Sequence, residues 1–216
     1  MTSEAAQREA ICRAARSFFE RGLTAGASGN ISLRLEDGGL LVTPTGSSFR
    51  DLDPARLSRL DADGRLLTGD KPTKEMALHS AFYATRGARS GAVVHLHSTH
   101  SVALSLLPET DPDDALPPLT AYSVMRLGKV RLLPYFRPGD PAMGEAVRAL
   151  EGRRSAVLLA NHGPVVAGAD LSAAVYAIEE LEETARLALL LRGCDPRLLT
   201  PEQVADVVET FEVEWG

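Results

Sequence analysis

Cysteine is nearly absent: Cys12 and Cys194 are the two in 216 residues, and neither belongs to a C-x-x-C pair. Far apart in predicted helical or helix-end segments, they are not expected to form a disulfide, and buried apolar packing accounts for both. Long hydrophobic runs are missing too. Even LEETARLALLLRG, residues 181–193, is broken by charge and falls short of a membrane span. No basic run tracks a nucleic-acid backbone, and 23 Lys plus Arg against 29 Asp plus Glu leaves a net charge of −6, which argues against nucleic acid and anionic membranes as partners. Neither G-x-G-x-x-G after a strand nor G-x-x-x-x-G-K-[ST] occurs, so a dinucleotide fold and a nucleotide-binding P-loop lack support. Internal repeats and low-complexity tracts are also absent. The opening MTSEAAQREAICRAARSFFERG mixes apolar residues at helical spacing with charges of both signs, unlike a signal peptide, so a cytoplasmic protein is expected.

What is present reads as one compact domain over residues 1–216, with 44% hydrophobic content to build a core. The spacing predicts a first helix over about 3–21, capped by Ser3 and ended by Gly22. ISLRL and GLLVTP flank the turn Glu36-Asp37-Gly38-Gly39 as a hairpin, and LSRL-DADG-RLL repeats the pattern. A helix over about 73–86 follows, then the buried strand AVVHLH and a helix opening at Ser98-Thr99. The Pro-rich DPDDALPPLTAYSVMRLG reads as a surface excursion. After it come the strand VRLLPYF, a helix opened by Asp140-Pro141, the strands SAVLLA and PVVAG around the turn Asn161-His162-Gly163, and two closing helices, the first capped by Asp170 or Ser172 and the last opened by Thr200-Pro201. Hairpins first and alternating elements later predict an α/β fold: three layers, with a central mixed, largely antiparallel sheet covered by helices.

His95 and His97, two apart in a predicted strand, share a face from which both imidazoles can reach one ion. A pair of hydrogen-bonded core histidines fits that spacing equally well. His162 sits in a turn between two apolar strands, where it is either a ligand or an ordinary turn residue. Glu75 falls in the first turn of a helix whose cap is expected at Thr73, a common position for an acidic residue. Together, three imidazoles and a carboxylate form a sensible zinc-binding set, and the carboxylate can also move protons. His79 and His100, each one helical turn away from that set, read as supporting or packing residues. Three loops offer amides and hydroxyls to an anion: Ala27-Ser28-Gly29-Asn30, Thr43-Pro44-Thr45-Gly46-Ser47-Ser48 and Pro72-Thr73-Lys74. Each taken alone is a plain turn.

In order, SGNIS, TPTG, PTKE, HLHSTHS and NHG, followed by the long helix containing EELEETARLALLL, resemble the class II aldolases of the fuculose-phosphate aldolase and adducin-head type over nearly the whole chain. The resemblance implies a homotetramer with active sites at subunit interfaces and one Zn2+ per subunit, held by His95, His97 and His162. It makes Glu75 a residue that binds or faces the metal and moves protons, and gives phosphate contacts to Ser28, Gly29, Asn30, Thr45, Gly46, Thr73 and Lys74. Tyr122 matches a catalytic tyrosine donated across the interface. Where fuculose-phosphate aldolases carry two serines before the glutamate, this chain has Thr73-Lys74; with LTAGASGNIS upstream and LLPYFRPGDP downstream, it is similar to the branch that decarboxylates 3-oxo-tetronate 4-phosphate to dihydroxyacetone phosphate. Loss of CO2 there leaves the same metal-stabilised enediolate as retro-aldol cleavage. The rival expectations are an aldolase that releases an aldehyde and a non-catalytic assembly module of the adducin-head kind, which would not need the metal set.

Overall fold

Ser3 opens the described part of the chain, residues 3–215 of a computed structural model. Its hydroxyl accepts from the Ala6 amide and caps α1, Glu4–Glu20. Both expected hairpins form: β1 (Asn30–Arg34) pairs antiparallel with β2 (Leu40–Val42), and β3 (Ser58–Leu60) with β4 (Leu66–Thr68). With β5 (Ala92–His95), β6 (Arg131–Leu133), β7 (Ala156–Leu159) and β8 (Gly163–Gly168) they make one eight-stranded sheet in the order β4-β3-β2-β1-β5-β8-β7-β6. β6 and β7 run parallel, and the other neighbours are antiparallel.

Helices cover both faces, as α2 (Met76–Arg86), α3 (Thr99–Ser105), α4 (Ala121–Leu127), α5 (Ala142–Arg148), α6 (Leu171–Leu190) and α7 (Pro201–Thr210). Alternation along β5 divides the interior. Ala92 and Val94 join Ile11 and Phe18 of α1 and Ile178 and Leu181 of α6 in one core. Val93 joins Leu78 and Phe82 of α2 and Met143 and Val147 of α5 in the other. Burial of each large side chain, such as Phe18 or Phe82, contributes about 1.5–3 kcal/mol. The α/β three-layer arrangement is therefore the expected one.

Four local expectations need correction. Thr73 Oγ1 does accept from the Glu75 amide at 3.3 Å, but α2 starts only at Met76, and Glu75 holds the cap position without a capping bond from its side chain. β5 ends at His95, so His97 lies beyond the strand, although Leu96 still donates to the Pro164 carbonyl. The Pro-rich segment is more than a surface excursion. It holds α4, capped by Thr120, and it buries Ala115 and Leu116 in the first core, because its short apolar stretch anchors it. Cys12 packs in that core as expected, whereas Cys194 is exposed in the turn after α6; both are free. Among the described residues, no helix is long and apolar enough to cross a membrane.

Candidate active site

The same alternation positions the chemistry. Ile31 and Leu33 of β1 face the α1–α6 core, so Asn30 and Ser32 face α2; likewise Val94 faces one way and Val93 and His95 the other. Along α2, Glu75, His79 and Tyr83 are spaced four apart and fall on one stripe. That stripe meets the polar positions of β1. Asn30 Nδ2 donates to Glu75 Oε2 at 2.8 Å, while Ser32 Oγ lies 2.7 Å from both His79 Nδ1 and the Tyr83 hydroxyl.

At the end of β5 three imidazoles converge. His95 Nε2 lies 3.1 Å from His97 Nε2 and 3.3 Å from His162 Nε2, with each pair of rings edge-on. His162 gets there through a sharp turn in which Asn161 has φ 57°. The next residue, Gly163, presses on the sheet so closely that a Cβ would meet the Leu96 carbonyl at 2.3 Å, which only glycine allows. Glu75 closes the group, with Oε2 3.4 Å from His95 Nε2 and Oε1 3.4 Å from His162 Nε2.

Protonation favours a cation here. His95 Nδ1 lies 2.8 Å from the Pro164 carbonyl and must donate to it, which leaves Nε2 as a bare lone pair pointing into the cluster. Burial first, and then the neighbouring imidazoles, hold His95 well below the usual histidine range. His97 and His162 are lowered as well, by burial against the partly opposing pull of Glu75. Three neutral imidazoles and a carboxylate therefore face one point. Ligand nitrogens on a tetrahedral ion sit about 3.3 Å apart when each bond is about 2.0 Å, so the 3.1 and 3.3 Å spacings from His95 Nε2 fit a divalent metal.

Beside the cluster lies a cavity of about 390 Å³, lined by residues of all three predicted anion loops, Ser28 to Asn30, Thr45-Gly46 and Thr73-Lys74, together with Glu75, His97 and Pro138. Both polar ends of the Asn30 side chain are engaged, by Glu75 and His79. The Lys74 stem packs on Gly139, where an added Cβ would lie 3.3–3.4 Å from the carbons of that stem. The charge of Lys74 is close enough to depress both His97 and His162. Tyr122 is not brought to this cavity. It is 61% exposed on α4, beside Arg126 and Tyr176.

Sequence reasoning gave His79 a supporting or packing place and did not single out Ser32, Tyr83 or Glu182 behind the site. His79 is fully buried, which pushes its pKa down to about 4. Glu182 of α6 accepts from the His100 and Ser101 amides and from Ser101 Oγ, at 2.7–2.9 Å, and so holds the start of α3 just after His97. Burial alone would raise its pKa, but the Ser101 and Ser98 hydroxyls bring it below the usual carboxylate range. The spacing of His79 and Tyr83 from Glu75 on α2 was the available signal for the first of these.

Residues 9–189 match the family described as the class II aldolase and adducin N-terminal domain. The chain belongs to this family. Class II aldolase members are metal-dependent, in keeping with the histidine cluster. The chain is 50% identical over 207 residues to a 3-oxo-tetronate 4-phosphate decarboxylase of Haemophilus influenzae, covering 95% of this chain and 97% of that protein. The crystal structure of YgbL from Escherichia coli superposes with a TM-score of 0.91 at 48% identity, over 94% of this chain and 98% of that one. An L-fuculose 1-phosphate aldolase superposes with a TM-score of 0.84 at 27% identity, over 98% of both chains.

Proposed function

We propose that this carbon–carbon lyase decarboxylates 3-oxo-tetronate 4-phosphate to dihydroxyacetone phosphate and CO2, with one zinc ion per subunit held by His95, His97 and His162 and faced by Glu75. The observation that carries the reading is Lys74 beside the histidine cluster, at the edge of the cavity that also collects the Ser28–Asn30 and Thr45-Gly46 loops. A substrate with a carboxylate at one end and a phosphate at the other needs anion contacts at both, and a net charge of −6 means they must be local.

When bound, the ion supplies Lewis acidity that lowers the cost of negative charge next to the breaking bond, an effect of several kcal/mol. The chain's own groups do the rest. Amides and hydroxyls of Ser28, Gly29, Thr45, Gly46 and Thr73 grip the phosphate and so orient the substrate. Lys74 offsets a further negative charge on it. Glu75 takes a proton from solvent on Oε1 and delivers it to the carbon that has lost CO2, its Oε2 steadied by Asn30. Exposed Tyr122 completes the site of a neighbouring subunit in a homotetramer.

Purified zinc protein incubated with 3-oxo-tetronate 4-phosphate is expected to release CO2 and dihydroxyacetone phosphate in equal amounts. With fuculose 1-phosphate, no comparable aldehyde release is expected. Aldehyde from the second substrate without CO2 from the first would assign the chain to the aldolases instead.

A further inference from the structure

Behind Glu75, a line of buried polar groups runs beside α2 and ends at Tyr83, whose ring lies under the Arg34 guanidinium. Tyr83 Oη lies 2.7 Å from Ser32 Oγ, which lies 2.7 Å from His79 Nδ1; His79 Nε2 meets Asn30 Oδ1, and Asn30 Nδ2 lies 2.8 Å from Glu75 Oε2. One end forces the polarity of the whole line. A carboxylate oxygen only accepts, so Asn30 turns its nitrogen to Glu75 and its oxygen to His79. His79 therefore carries its proton on Nε2, Ser32 donates to the bare Nδ1, and Tyr83 donates to Ser32. Turning the Asn30 amide over would set oxygen against oxygen at Glu75 and N–H against N–H at His79.

Packing gives no reason for this line. Its neighbours on α2 and β5, Leu78, Phe82 and Val93, are fully buried and apolar, and polar groups among them are costly unless every one is satisfied. We propose that His79 is a positioning residue of the site: its Nε2–H locks the Asn30 amide, and the amide holds Glu75 Oε2 so that Oε1 stays turned toward His162. Ser32, supported by Tyr83, satisfies the bare Nδ1 of that tautomer. The inference rests on the reading of Glu75 as proton carrier.

Three measurements test it. In the metal-free wild-type protein, nitrogen NMR of His79 is expected to show the Nε2–H tautomer, and the Nδ1–H tautomer would overturn the inference whatever the enzyme turns over. His79→Leu is expected to lower kcat by about 10- to 100-fold, with KM and bound zinc within about two-fold of wild type. His79→Gln, which keeps an N–H for Asn30, is expected to recover most of that loss; equal kcat in the two variants, or a loss confined to KM or metal content, would overturn it. Should His79→Leu not fold, His79→Phe serves in its place, with the same fall in kcat and the same recovery in His79→Gln. If the wild type turns over neither substrate, the proposed function fails, and the inference is judged by crystal structures: a Glu75 side chain unmoved in His79→Leu or His79→Phe contradicts it.

Discussion

His95 Nε2 and His162 Nε2 lie 3.3 Å apart although 67 residues separate them in the chain. The antiparallel pairing of β5 with β8 makes the approach, and the bond from His95 Nδ1 to the Pro164 carbonyl fixes which nitrogen faces the cluster. His97, half-buried and outside β5, can be replaced with little harm to the sheet. His97→Ala is expected to lose bound metal and at least about 100-fold in kcat, the minimum for an effect of several kcal/mol. Metal analysis and initial rates check this, and a variant with full metal and an unchanged rate would speak against the cluster.

The proposed anion contact of Lys74 is open to a single substitution. Lys74→Met keeps the stem that packs on Gly139 but removes the charge. Since a hydrogen bond to a charged group contributes about 1.5–3 kcal/mol, KM should rise by about 10- to 100-fold for a phosphorylated 3-oxo acid. Steady-state kinetics would show a KM close to wild type if the lysine pointed elsewhere.

Much of this was legible in the sequence, and the exceptions have two physical causes. Strand alternation and turn residues marked the hairpins, and the H-x-H spacing with His162 and Glu75 marked the centre. Short-range pattern could not show that Glu75, His79 and Tyr83 face Asn30 and Ser32, because that depends on how α2 lies on β1, a contact between segments some 45 residues or more apart. Helix α4 was hidden for another reason. Pro117 and Pro118 lead directly into its Thr120 cap, and seven residues give too little periodicity to stand out from a loop.

Buried neutral His79 should make stability depend on pH in one direction. Its pKa is about 4 in the folded protein and near 6.5 when unfolded, so below pH 6.5 the unfolded chain binds a proton that the folded one does not. Stability from this group is present above about pH 6.5 and is lost as pH falls toward 4, by about 3 kcal/mol in all. Denaturant unfolding of metal-free wild type and His79→Gln across this range should show the wild type losing more. Parallel curves would remove His79 as the cause.

The two thiols should behave differently. Cys12 is buried in the core and its pKa is pushed up to about 11, chiefly by burial, whereas Cys194 is exposed. A thiol reagent at pH 8 should therefore label one cysteine in the native protein and both after unfolding. Cys194→Ser should abolish the native reaction.

Chelation tests the central claim most directly: that the side chains of Glu75, His95, His97 and His162 meet around one ion on which turnover depends. Removal of metal from the purified protein is expected to abolish release of CO2 from 3-oxo-tetronate 4-phosphate, and one equivalent of zinc per chain is expected to restore it. Full turnover after complete chelation would contradict the account.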